Sequence, residues 1–151
     1  MNTKQLQLKI ITPERIVLDE VVDSVTLPTT EGEITILPDH IPLISTLASG
    51  DVVAKVNGEV VPMAVSGGFI EVHPAKGGVA STEVKVLADF AEHVSEITDE
   101  SLDKAKARAD EIMKMKHNAE DVDFEHFETE LERSLTRVKI ADKWRNKKYR
   151  M

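Results

Sequence analysis

Apolar and polar positions alternate along the first part of the chain in short runs, beginning with QLQLKI at residues 5–10. A period of two is typical of a strand that buries one face. Similar runs, many of them rich in valine or isoleucine, follow one another with glycine or proline in most of the gaps. The predicted strands are residues 5–10, 15–18, 23–27, 33–37, 43–47, 51–56, 59–64, 69–72 and 84–87.

The gaps between these strands are too short for the helices that connect parallel neighbours. Asn57 and Gly58 separate two of the runs, and this dipeptide is the strongest short-range signal for a β-hairpin. We therefore predict a mostly antiparallel sheet folded as a β sandwich or barrel.

The second part of the chain lacks both of the residues that most often interrupt secondary structure. All six prolines and all seven glycines lie at or before residue 78. We predict a β-sandwich domain at residues 1–90 and an antiparallel two-helix hairpin at residues 91–151, with the changeover near residues 89–98. Thr98 is the predicted N-cap of the first helix.

The two predicted helices carry thin apolar stripes at helical spacing. In the first helix the stripe consists of Leu102, Ala105, Ala109, Ile112 and Lys116. In the second helix, which Asp121 or Asp123 can cap, it consists of Phe124, Phe127, Leu131, Ser134, Val138 and Ala141. Because these stripes are narrow and rich in small residues, we expect the hairpin to be marginally stable by itself.

Charge is sorted along the chain, which has a formal net charge of −8. Residues 1–90 carry net −6, residues 91–132 net −9, and residues 133–151 net +7. The acidic balance argues against a general nucleic-acid binder. The basic end carries more positive charge than a helix end requires, and it could bind nucleic acid, an anionic membrane or an acidic protein, or be a solvated helix end.

Candidate chemistry is sparse. The chain has no cysteine, its five histidines have no metal-ligand spacing, and no nucleotide-binding loop or nucleophile motif is present. We therefore expect no catalytic site and no metal site. The longest runs without Asp, Glu, Lys or Arg, residues 40–50 and 60–70, are too short to span a membrane.

Three sequence motifs resemble those of the epsilon subunit of F-type ATP synthase. They are EGEITILPDHIPL at residues 31–43, SGGFIEV at residues 66–72 followed by VLAD, and LDKAKA at residues 102–107. The motifs occur in the order of the family and extend over most of the chain. The resemblance implies a sandwich of about ten strands and a non-catalytic rotor subunit of a proton-translocating complex, without enzymatic activity of its own.

The resemblance also implies partners. The sandwich would bind the γ subunit and the membrane c-ring, and the hairpin would fold on the sandwich or extend toward the catalytic α and β subunits to restrain ATP hydrolysis. Glu31, Asp39 and His40 fall in loops that face the c-ring or γ. Asp103, Lys106, Arg133 and Arg137 fall where ATP or the catalytic subunits would be met, and the basic tail includes Lys139, Lys143 and Arg145.

Three positions depart from the family pattern. Lys106 stands where the ATP-binding motif has arginine, so we expect weak ATP binding or none and assign no cofactor. Asp39 stands where the family usually has glycine, and the connection at residues 73–85 is longer than usual, which predicts an extended hairpin.

The alternative is a free-standing ATP-sensing or small-ligand-binding β-sandwich module. Such a module would be stable and monomeric alone, whereas a rotor subunit would co-purify with γ. No targeting segment is recognisable at the start of the sequence, from which we expect a peripheral protein on the cytoplasmic side of the bacterial inner membrane. A plastid-encoded protein would show the same feature.

Overall fold

A computed structural model describes residues 4–118 and 124–148 of the protein. Its contacts divide the chain into two compact units, Met1–His93 and Val94–Met151. The first unit contains eight described strands: β1 Leu6–Ile11, β2 Ile16–Val22, β3 Ser24–Thr29, β4 Gly32–Ile36, β5 Leu43–Leu47, β6 Gly50–Val56, β7 Glu59–Pro74 and β8 Thr82–His93. The second contains a 3-10 turn at Val94–Glu96 and the helices α1 Asp99–Asn118 and α2 Phe124–Lys148.

The eight strands form one hydrogen-bonded sheet that folds into two layers. The first layer runs β2-β1-β8-β7-β5, and the second contains β4, β3 and β6, which pairs with the first half of β7. Only the β1–β8 pair is parallel among the described strands. The prediction of a mostly antiparallel β sandwich followed by two helices is confirmed.

The core lies between the two layers. It contains alternate residues of β1 and β8 from the first layer, and alternate residues of β3 and β6 from the second. Leu6, Leu8 and Ile10 of β1 are completely buried, while the residues between them are only partly covered. This alternation is the period of two that the sequence shows, because successive side chains of a strand point to opposite faces.

Two predicted strands, residues 59–64 and 69–72, are continuous in the structure as β7. Gly67 and Gly68 lie within this strand at φ of 61° and 125°. A Cβ atom on Gly68 would lie 1.9 Å from the Leu87 carbonyl oxygen of β8. The glycines therefore allow two strands to approach closely where β7 passes between layers, rather than ending the strand.

The two connections that the sequence marked as hairpins are both formed. Asn57 and Gly58 have φ of 52° and 82°, the left-handed values that a tight β-hairpin turn requires. The connection at residues 73–85 is an extended hairpin, in which Pro74 pairs with Thr82 and the Ala75 amide donates to the Ser81 carbonyl.

The first helix begins where the sequence places its cap. The Thr98 hydroxyl accepts a hydrogen bond from the Ser101 amide at 3.1 Å, and the Thr98 carbonyl accepts one from the Leu102 amide. Asp121 and Asp123, the predicted caps of α2, lie outside the described residues. The unit boundary after His93 falls three residues beyond the predicted domain boundary.

Candidate interaction surfaces

An apolar row crosses the outer face of the first layer. The strand register places Ile16 beside Ile11, Ile11 beside Leu87, and Leu87 beside Phe69. Ile16 is 62% exposed, Phe69 is 59% exposed and Leu87 is 46% exposed. β7 and β8 already bury their opposite face in the core. The apolar row is therefore a second apolar face on the same strands, and it is exposed. Apolar residues grouped on an exposed sheet face are typical of a protein interface.

Charged side chains border the apolar row on the same face. Lys9 and Lys85, each two positions before a member of the row on its strand, place their Nζ atoms 3.8 and 3.6 Å from Oε1 of Glu83. His73 of β7 places its Nε2 atom 3.9 Å from the same oxygen. The four side chains form a polar margin beside the apolar row, as at the rim of many protein interfaces.

Asp39 and His40 lie in the loop that joins β4 to β5, at one end of the sandwich. The Asp39 carboxylate binds the Lys4 ammonium at 2.5 Å, and the Asp39 amide donates to the Thr82 hydroxyl at 2.8 Å. The hydrogen bond from Lys4, with a second from Ser81, holds the pKa of the Asp39 carboxyl below its usual value. His40 contacts the neighbouring carbonyl of Ile41 through Nδ1 at 2.7 Å.

The backbone of Asp39 has an unusual conformation for a residue other than glycine. Its φ of 66° is in the left-handed region, where glycine is favoured and aspartate is tolerated. Two aliphatic side chains of the same loop, Leu37 and Ile41, are 58% and 74% exposed. The loop thus presents exposed apolar side chains. Its backbone is held in place by the hydrogen bonds of Asp39 to Thr82 of β8 and to Lys4 of the N-terminal segment.

Glu31 lies at the opposite end of β4 from Asp39 and His40. It is exposed in the turn between β3 and β4, where its amide donates to the Thr29 hydroxyl at 3.2 Å. Because β4 separates Glu31 from Asp39 and His40, the structure does not bring these three predicted contact residues into one loop cluster. Their role in contacts with the c-ring or γ remains a prediction.

The predicted nucleotide or catalytic-subunit contacts are divided between the two helices. Asp103 and Lys106 are exposed on α1, whereas Arg133 and Arg137 are half-buried on α2. At 100° per residue, Lys106 projects from one flank of the buried stripe of α1. Their roles also remain predictions.

The basic tail makes contacts within the second unit. Lys139 and Lys143 are exposed on α2. Arg145 binds the Asp99 carboxylate through Nη1 and donates from Nη2 to the Ile97 carbonyl at 3.2 Å. The Lys147 ammonium lies 4.5 Å from the ring centroid of Trp144, within the range of a cation–π interaction.

A further ion pair between the helices was not predicted from the sequence. Arg108 donates from Nε to Oε1 of Glu130 at 2.5 Å and from Nη2 to Oε2 at 3.1 Å. This pairing lowers the pKa of the Glu130 carboxyl and raises that of the Arg108 guanidinium. One feature of the sequence could have indicated this ion pair: Arg108 lies beside the buried stripe of α1, on the flank opposite Lys106.

The described surfaces offer apolar and charged side chains to a binding partner. Within residues 4–118 and 124–148, no group of three or more histidines or carboxylates is arranged to hold a metal ion. Neither described helix is both long enough and apolar enough to cross a membrane. The fold and its surfaces define a β-sandwich interaction protein with a helical appendage.

Comparison with known proteins gives the family. Residues 5–94 match the family described as ATP synthase, Delta/Epsilon chain, beta-sandwich domain. The ATP synthase epsilon chain of Herpetosiphon aurantiacus is 38% identical over 142 residues, covering 94% of this chain and 98% of the relative. The ATP synthase epsilon chain of Dehalococcoides mccartyi is 41% identical over 141 residues, covering 93% and 95%. The chain belongs to the ATP synthase epsilon-chain family, whose members are non-catalytic accessory subunits.

Solved structures agree with this assignment. A chain of the Euglena gracilis mitochondrial ATP synthase, in a structure of OSCP, F1 and c-ring, superposes with a TM-score of 0.65 at 25% identity. The match covers 87% of this chain and 78% of the other. A chain of the Tetrahymena thermophila central stalk and c-ring structure, at 15% identity and a TM-score of 0.54, shares the fold.

Proposed function

We propose that this chain is the rotor subunit that couples rotation of the c-ring to the catalytic head of a proton-translocating ATP synthase through γ. We also propose that its C-terminal helices restrain ATP hydrolysis. The observation that carries the proposal is the apolar row across β2, β1, β8 and β7. A sheet that is apolar on its outer face as well as on its core face is typical of a protein that binds a partner. The relatives' names and the c-ring complexes among the structural neighbours support this assignment.

We assign the apolar row to the γ subunit. The row is a continuous surface on rigid strands, and its charged margin can align a partner before the apolar contact forms. Co-purification of the full chain with γ at equal stoichiometry tests this assignment. A chain that remains monomeric beside γ and instead gains thermal stability from a small ligand would support the alternative ligand-binding module.

We assign the exposed loops that contain Glu31, Asp39 and His40 to contacts with the c-ring or γ. Cysteines placed singly at Glu31 and at His40 test this assignment in the assembled complex. Each should crosslink to a c-ring subunit or to γ, and crosslinking to neither would contradict the assignment.

We assign the second helix to contact with the catalytic α and β subunits. Residues 133–151 carry net +7, whereas residues 91–132 carry net −9, so opposite charges compensate each other while the helices stay together. After the hairpin opens, the basic residues can meet an acidic surface. Single exposed pairs contribute about 0–1 kcal/mol, so several charges have to act together, and salt weakens the effect.

The basic helix can be tested in the assembled complex. Changing Arg133, Arg137 and Lys143 to glutamine should raise ATP hydrolysis and leave γ binding intact. A control with Lys55→Gln and Lys76→Gln removes exposed positive charge from the sandwich and should leave hydrolysis unchanged. Unchanged hydrolysis in the helix variant would mean that these basic side chains do not restrain ATP hydrolysis. In this assignment the chain reaches the cytoplasmic side of the membrane through the complex.

A further inference from the structure

The two helices bury few large apolar side chains. The buried residues in the described part of α1 and α2 are Leu102, Ala105, Ala109, Ile112, Ser134, Thr136, Ile140 and Ala141. Only three of these eight are large and aliphatic. Because apolar stabilisation scales with the area removed from water, alanines and hydroxyl residues contribute little of it. Polar contacts between the helices therefore add to a modest apolar interface.

The fork between Arg108 and Glu130 is a polar contact of this kind, and it has two-point geometry. Two parallel hydrogen bonds, at 2.5 and 3.1 Å, join the guanidinium to both carboxylate oxygens. Both side chains are about two-thirds covered, with exposures of 37% and 32%. A two-point fork of this kind fixes orientation as well as distance, which a single-point contact from lysine cannot do.

The position of the fork separates it from the contact between Arg145 and Asp99. Arg145 and Asp99 join the helices at the beginning of α1, in an exposed pair. Arg108 lies about 14 Å further along α1, near its middle. The guanidinium is held in place by Glu111 one turn later, whose Oε2 lies 3.1 Å from Nη1. Arg108 is thus already oriented toward α2 by its own helix.

We propose that the Arg108–Glu130 fork is the latch that holds α1 and α2 together in the closed hairpin. Loss of the fork removes a two-point contact near the middle of α1, where the buried stripe supplies mainly small side chains. The regulatory consequence rests on the proposed function: a chain with a weakened latch opens more often and restrains ATP hydrolysis more strongly.

The latch can be tested on the full chain by the rate at which a buried thiol is modified. The protein has no cysteine, so Ala109→Cys, at a position 5% exposed, provides a single reporter. Its modification by a maleimide proceeds through the open hairpin, and the rate scales with the open fraction. Ala107→Cys, at an exposed position of the same helix, controls for changes in intrinsic reactivity.

Arg108→Gln and Glu130→Gln should each raise the modification rate of the buried reporter about two- to fivefold, the change in open fraction that corresponds to losing an ion pair worth up to about 1 kcal/mol. Arg108→Lys keeps the charge without the fork and should give an intermediate rate. Lys104→Gln removes the exposed Lys104–Glu100 pair within α1 and should leave the rate unchanged. A wild-type rate in Arg108→Gln, or an equal increase in Lys104→Gln, would overturn the latch. If Arg108→Gln loses helical circular dichroism, Arg108→Lys decides the question.

The same variants separate the latch from the proposed function. In the assembled complex, Arg108→Gln should lower ATP hydrolysis. If the buried thiol reacts faster while hydrolysis stays unchanged, the latch stands and the assignment of the hairpin as a restraint on hydrolysis fails.

Discussion

Replacement of Phe69 by threonine tests the assignment of the apolar row to γ. Phe69 is 59% exposed and faces Leu87 and Thr46 across the neighbouring strands. Threonine favours strands and pairs well with another threonine on the next strand. The substitution therefore removes apolar contact area without an evident cost to the sheet, and the sandwich itself should remain folded.

The expected loss follows from the exposed area. A phenylalanine presents about 200 Å², so about 120 Å² of Phe69 is open to a partner. Covering this area contributes about 3 kcal/mol at about 25 cal/mol per Å². Because threonine keeps part of it, we expect a loss of about 2 kcal/mol, or about thirtyfold in the Kd for γ.

The assay is titration of γ with the full chain, followed by calorimetry or surface binding. Val60→Thr is the matched control, because Val60 is 46% exposed on the first half of β7, away from the apolar row. Phe69→Thr should weaken binding about thirtyfold, and Val60→Thr should change it little. Equal affinities of Phe69→Thr and the wild type, with both proteins folded, would refute the assignment of the row to γ.

Four further outcomes are expected. A chain ending at His93 should keep its strand circular dichroism and bind γ, because Met1–His93 forms a compact unit with its own apolar core. Gly68→Ala should unfold or severely destabilise that unit in thermal melts, since its Cβ would lie 1.9 Å from a backbone oxygen of the adjacent strand. Pairing with Arg108 lowers the pKa of Glu130, so the hairpin should lose helical stability as the pH falls below the ordinary value of 4.5, and Glu130→Gln should flatten this dependence. Lys106→Arg should tighten any ATP binding about ten- to a hundredfold in calorimetry, and micromolar binding by the unchanged chain would contradict the expected weak affinity.

The sequence was sufficient for elements whose pattern depends only on neighbours along the chain. The alternation at residues 5–10 and the cap at Thr98 are local features, and the structure confirms both. The continuity of β7 was not predictable in this way. Gly67 and Gly68 read as a turn in the sequence, and only the approach of the Leu87 carbonyl shows that they permit close packing within a strand.

The candidate surfaces depended on register even more strongly. Phe69 and Leu87 belong to different strands. They become neighbours only through the pairing of β7 with β8, which joins residues far apart in the sequence. Arg108 and Glu130 are 22 positions apart and resemble ordinary solvated charges in the sequence. Charged residues on helix flanks carry too little local signal to identify their partner, so the interhelical fork could be recognised only in the structure.

The passage of β7 through both layers has a mechanical consequence. β7 spans Glu59–Pro74 and pairs with β8 from Met63 to Pro74, so the two strands form an antiparallel ribbon, and no loop interrupts β7 between the two layers. A force applied at the apolar row enters this ribbon directly and reaches the second layer through backbone and cross-strand hydrogen bonds. The sandwich should consequently transmit a turning load as a stiff body, with little of the elastic loss that two sheets joined only by loops would show.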